Sequence, residues 1–195
     1  AAPPLVQAAC YQLILDRAIG EYRPPEGWAI VAAGNREKAK AGSYRMPSAL
    51  ANRMVHLEFE TSLDDWLSWA QVAGIRPEVC AFLRFRPKLL HDFDPQGQEK
   101  AFASPRSWEF VSRILDASPD RTVEYELFQG TGGAGAAAEF MGFLAVWRNL
   151  PRVDAILKAP LECAVPEEPA ALYATCEALS LRADAETMDA LAAYA

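Results

Sequence analysis

The 195 residues carry 19 basic and 26 acidic side chains, a net charge of −7, with a sequence pI near 4.9. Hydrophobic residues at 51% and charged residues at 23% are ordinary globular usage and argue against a disordered, collagen-like or disulfide-scaffold chain. At roughly 100–200 residues per domain the length allows one domain or two small ones. No apolar run approaches the roughly 18 residues of a membrane span, and the acidic balance argues against a general phosphate-backbone binder, leaving room only for a local basic patch.

Pro3 and Pro4 precede a segment in which Val6, Cys10 and Leu13 recur at three-to-four spacing, which predicts a helix to about Arg17. Ala18–Tyr22 reads as a short strand, and Arg23-Pro24-Pro25-Glu26-Gly27 as a turn. Trp28-Ala29-Ile30-Val31-Ala32-Ala33 is a continuous apolar run, the pattern of a strand buried on both faces of a parallel sheet, ended by Gly34-Asn35. Arg36 to Tyr44 reads as an exposed loop holding Arg36, Lys38 and Lys40, and residues 47–52 as a short helical turn. Val55 to Glu60 alternates apolar and polar side chains and predicts a half-buried strand.

From residue 62 the pattern turns helical. Ser62 with Asp65 resembles a capping box, and Leu63, Trp66, Leu67 and Ala70 then line one face until Gly74. A helix opening at Pro77 runs through Phe85, His91 to Ala103 is a loop, and Ser104-Pro105 starts a helix carrying Trp108, Val111 and Leu115 on one side. Phe140, Phe143, Leu144 and Trp147 mark a further amphipathic helix ended by Pro151, and two more follow near 169–182 and 185–194. The change of pattern near residue 60 divides a small α/β part, 1–60, from a helical part, itself divided into 61–117 and a tail, 118–195. The fold class is therefore mainly α with a small α/β part. One or two buried strands are too few for an independent doubly wound sheet, so further strands are needed to complete it.

The four cysteines, Cys10, Cys80, Cys163 and Cys176, have no CxxC spacing and apolar or small neighbours. They read as buried free thiols of a reducing, cytoplasmic protein. No signal peptide is visible, and a start at Ala1-Ala2-Pro3-Pro4 without methionine suits an excised fragment.

The run Pro3-Pro4-x-x-Gln7, Asp16-Arg17, Trp28 to Asn35 and Met46-Pro47-Ser48-Ala49-Leu50-Ala51-Asn52-Arg53 resembles the second half of an AAA+ ATPase core, most closely the MoxR branch. Ser104-Pro105-Arg106-Ser107-Trp108 is similar to that family's lid-helix motif. The similarity covers about residues 1–117. Beyond that it is confined to Tyr125-Glu126-Leu127 and the stretch from Gly130 to Phe143. The family's P-loop and acidic metal-binding strand are absent, and its pattern would place the acidic pair just before Ala1. The resemblance thus implies a truncated P-loop core, a helical lid at 61–117 and a helical tail.

It also implies roles for particular side chains. Asn35, at the carboxyl end of a predicted strand where open sheets bind ligands, would orient a water for attack on a γ-phosphate; spacing alone favours a turn asparagine after Gly34, and it is the resemblance that reverses this. Arg53 would be an arginine finger reaching a neighbouring subunit's nucleotide, with Arg45 in Gly42-Ser43-Tyr44-Arg45 as the rival; a surface ion pair is the ordinary alternative. Arg106 stands in the first turn of a capped helix, where a cation opposes the macrodipole. The family role for it is contact with the γ-phosphate from the lid of its own subunit. Arg113, seven residues on along the same face, is the alternative.

Other motifs carry less. Gly130-Thr131-Gly132-Gly133-Ala134-Gly135 lacks the Gly-Lys-Ser/Thr ending of a P-loop and reads as a flexible helix–helix connection. His91-Asp92-x-Asp94 lacks metal-motif spacing and reads as a polar lid loop, and His56 as a structural residue of a strand.

As a whole the resemblance implies an ATPase using ATP and Mg²⁺ in a homo-oligomeric, hexameric ring, doing chaperone-like remodelling of partner proteins, including those with von Willebrand factor A domains. The alternatives are a non-enzymatic helical interaction module and a DNA-linked ATPase, the latter disfavoured by the acidic charge.

Overall fold

In a computed structural model the chain is described over residues 4–34, 46–94, 96 and 100–195. It divides into two compact units, Ala1–Phe59 with Asp94–Gly97, and Glu60–Phe93 with Gln98–Ala195.

The first unit opens with α1, Pro4–Asp16. Arg17 then adopts φ 49°, and its guanidinium donates to the Trp28 carbonyl at 2.6 Å. Ile19 and Tyr22 exchange backbone hydrogen bonds at 2.9 and 3.0 Å across a turn, forming an isolated bridge in place of the expected strand. A short helix, α2, covers Ser48–Ala51, with Leu50 buried.

The two longer strands expected in this unit do not form. Residues 28–34 and 55–60 form no strand, and Val31 and Val55 are each 89% exposed rather than buried. The physical reason is that a strand buried on both faces needs neighbours for both rows of backbone groups and helices over both faces. The described residues supply neither, so these apolar segments form no ladder and lie largely exposed. Among the described residues the architecture is helical, without a sheet.

The second unit is built from eight α-helices among the described residues, α3 Leu63–Ala73, α4 Pro77–Phe85, α5 Pro105–Asp116, α6 Arg121–Gly132, α7 Ala134–Arg148, α8 Val153–Lys158, α9 Pro169–Ser180 and α10 Met188–Tyr194, with a 3-10 turn at Pro87–Leu90. Local chemistry sets many of their ends. The Ser62 hydroxyl accepts from the Asp65 N–H at 3.3 Å, and Gly74 closes α3 in the left-handed region at φ 70°. Pro77 begins α4 at a position whose N–H needs no partner. The glycine-rich stretch is not the flexible connection expected of it. Gly130 and Gly132 lie inside α6, and the chain breaks only at Gly133, at φ 89° and ψ 158°, before α7 begins at the next residue.

Aromatic side chains fill the centre. Phe82 of α4 meets Trp108 of α5 at 5.3 Å and Phe140 of α7 at 5.1 Å, and Phe140 meets Phe128 of α6 at 5.3 Å. These tilted and edge-on arrangements suit the ring quadrupoles. Helices on both sides of residue 117 therefore share one core. A second, smaller cluster holds Ile156 of α8, Leu179 of α9 and Tyr194 of α10.

The cysteines are free, as expected, but none is buried: Cys10, Cys80 and Cys163 are half-buried and Cys176 is exposed. A small neighbour in sequence did not translate into a core position, because Cys176 lies on the solvent side of α9.

Candidate functional site

The start of α5 is the best-defined candidate. Ser104 caps it: its hydroxyl accepts from the Ser107 N–H at 3.1 Å, while the Ser107 hydroxyl accepts from the Ser104 N–H at 2.7 Å. This reciprocal box satisfies donors that the helix leaves open. Two tryptophans hold the end in place. The Trp66 indole N–H donates to the Pro105 carbonyl at 3.3 Å, and the Trp108 indole N–H to the Leu89 carbonyl at 2.7 Å. Arg106, the second residue of the helix, projects from this fixed turn and is exposed. Among the described residues its guanidinium has no hydrogen-bond or ion-pair partner.

Arg113 lies two turns further on, on the same face. It is paired with Glu109, four residues earlier, and its guanidinium sits 5.9 Å from the centre of the exposed Phe110 ring. A helix-surface ion pair thus engages Arg113 and leaves Arg106 open.

Arg53 follows α2 in the first unit. It is exposed, and one guanidinium nitrogen donates to the Ala49 carbonyl at 2.7 Å, capping its own helix. Asn35 and Arg45 lie outside the described residues. His56 is exposed, with Nε2 2.8 Å from the Ala51 carbonyl. His91 is also exposed, its ring packed near Phe93 and Phe102, and no cluster of His, Cys, Asp or Glu among the described residues could hold a metal ion.

Sequence reasoning missed two polar networks. Arg148 of α7 grips Glu124 of α6 through two bonds, at 2.7 and 2.6 Å. The Arg148 guanidinium holds the Glu124 carboxyl below its usual range against the opposing effect of burial, and Arg148 is raised in turn. In the second network Glu177 of α9 accepts from Arg84 of α4 at 2.7 Å and from the Tyr173 hydroxyl at 3.2 Å. Burial, then the Glu177 charge, push the Tyr173 hydroxyl up to about 12. Partners 24 and 93 residues apart leave no local spacing signal.

No family model matches the chain, and no curated protein or solved structure matches it.

The fit to ATP and Mg²⁺ is partial. A guanidinium projecting freely from a rigid helix end suits a phosphate oxygen. The glycine loop with lysine, and the acidic residues that would hold the rest of the nucleotide and its metal, are not encoded in these residues. The described residues therefore do not make a nucleotide site by themselves.

Proposed function

We propose that this chain is the C-terminal part of a MoxR-like AAA+ ATPase subunit: the end of the core, a helical lid and a helical tail. The observation that carries this reading is Arg106, an exposed cation held at the first turn of a doubly anchored, boxed helix and without a partner among the described residues. On this reading the subunit works with ATP and Mg²⁺ in a hexameric ring in the cytoplasm and remodels partner proteins, with Arg106 reporting the γ-phosphate from the lid. Arg53, or Arg45, serves a neighbour's nucleotide, and Asn35 positions water.

The second reading, a helical interaction module, has its own support in apolar side chains that α3 leaves in solvent, Val72 at 90% and Trp69 at 44% exposed. The two part experimentally. In a subunit that carries the P-loop, Arg106→Ala narrows the affinity gap between ATP and ADP and slows turnover, because only the triphosphate offers γ-oxygens to pair with. Arg113→Ala is milder. An unchanged ratio in Arg106→Ala rejects the lid role. A parent reading frame without a P-loop and acidic pair turns the choice to the interaction module.

A further inference from the structure

The outer side of the α5–α6 pair carries apolar side chains that the fold leaves uncovered. The two helices are joined by residues 117–120 and pack along one another, so they run in opposite directions. The other neighbour of α5 is fixed by hydrogen bonds: the Pro105 carbonyl accepts from the Trp66 indole N–H of α3 at 3.3 Å, and the Ser112 hydroxyl from the Arg76 N–H just beyond it at 3.0 Å. Phe110 and Ile114 stand on the opposite flank, toward α6. On α6, Glu124, Phe128 and Gly132 turn inward, and the right-handed winding sets Val123 and Leu127 on the side nearer α5. Phe110 lies six residues before the end of α5 and Leu127 six residues after the start of α6, so the two stand at one level. With Phe110 at 44%, Val123 at 45% and Leu127 at 41% exposure, an apolar seam runs along the outside of the helix pair.

The seam has edges of opposite charge. On the α5 edge Arg113 stands beside Phe110, its side chain exposed; a single guanidinium nitrogen bonds Glu109, which leaves further N–H donors for another carboxylate. On the α6 edge Glu126 is exposed and has no hydrogen-bond or ion-pair partner among the described residues. Arg113 lies three residues before the end of α5 and Glu126 five residues after the start of α6. Their heights along the pair therefore differ by two residues, roughly 3 Å. An apolar strip with a cation on one edge and a carboxylate on the other at nearly the same height is complementary to itself. A two-fold axis along the strip lays each edge over its opposite.

We propose that a second copy of this chain covers the seam, in a two-fold dimer whose α5–α6 pairs lie face to face. Phe110, Val123 and Leu127 of both copies fill the middle, and Arg113 of each copy meets the partner's Glu126. The apolar middle supplies the affinity, and the two ion pairs at the rim set the register and the orientation. This contact is separate from the ring contacts of the nucleotide reading. It involves no nucleotide and leaves Arg106 out, so the two stand or fall independently.

Analytical ultracentrifugation of the full 195-residue chain tests the dimer. A seam this narrow gives a weak self-association, with a dissociation constant on the order of 10–100 μM. Phe110→Ser and Leu127→Ser each raise it at least ~10-fold, while Val72→Ser, an equally conservative change on the exposed side of α3, leaves it unchanged. Arg113→Glu and Glu126→Arg each weaken the dimer about 5-fold or more, because each puts like charges at both rims. The two reversals in one chain restore it to within about 3-fold, since the pairs re-form with their signs exchanged. A chain that stays monomeric up to about 300 μM overturns the proposal. So does a dimer that neither serine variant weakens, which places the contact on another face. A double reversal as weak as the two single effects added together overturns the two-fold pairing. Circular dichroism checks that each variant keeps its helices. Should one serine variant lose them, the other serine variant and the charge reversals decide.

Discussion

Both carboxylate oxygens of Glu124 are taken by Arg148, on a side chain only 4% exposed, while Arg106 faces solvent and has no partner among the described residues. The same side-chain type therefore carries opposite consequences. Arg148→Ala leaves a buried carboxylate without its partner and lowers stability by about 3 kcal/mol, whereas Arg106→Ala changes it by less than about 0.5 kcal/mol. Urea denaturation with the midpoint read at constant slope separates the two. The Glu124 pair also sets an acid limit. Its carboxyl is depressed in the folded chain, first by the Arg148 hydrogen bond. Its contribution is therefore fully present above the unfolded value of about 4.3 and is lost as the pH falls through the lower folded value. Glu124→Gln flattens the fall of stability with pH in that acidic window and leaves the slope near neutrality unchanged. An identical acid slope in the two chains means that Glu124 is not the group responsible.

At the scale of elements, the helices are delimited by residues whose chemistry acts over three or four positions. Ser104 exchanges hydrogen bonds with Ser107 across the first turn of α5. Ser104→Ala therefore costs about 1 kcal/mol, and Ser104→Gly only a few tenths. Gly133 separates α6 from α7 alone, at φ 89°. An added Cβ strains the backbone there, so Gly133→Ala costs about 1–3 kcal/mol, read from the same denaturation curves. A neutral Gly133→Ala would mean that the two helices merge into one. Strand-like segments behave differently. Trp28–Ala33 has the composition of a buried strand, yet Trp28 is 68% exposed, because no element among the described residues offers it a hydrogen-bonding edge or a covering face.

For the whole molecule, the proposed role divides labour between these residues and a P-loop they do not contain. Most triphosphate affinity in such ATPases comes from P-loop amides and lysine, with the metal held by the loop hydroxyl and an acidic strand. Calorimetry of the 195-residue chain with Mg-ATP accordingly shows no saturable binding in the micromolar range. A micromolar dissociation constant would sink the division proposed here. No helix among the described residues is long and apolar enough to cross a membrane, in agreement with the absence of a long apolar run in the sequence.

Helices α3, α4, α5 and α7 were legible from the sequence, since caps, prolines, Gly74 and the three-to-four spacing of Trp66, Leu67 and Ala70 are short-range signals. So was the place of Arg106 in a capped first turn. The separate α6 and the brief α8 were not, because a glycine-rich end and a six-residue helix carry little periodicity. The exposure of Val31 and Val55, the half-buried cysteines, and the meetings of Glu124 with Arg148 and of Arg84 with Glu177 were decided only by tertiary structure. Helix ends are settled by bonds among neighbours in the chain. Burial and long-range pairing depend instead on which surfaces meet, and local spacing does not encode that.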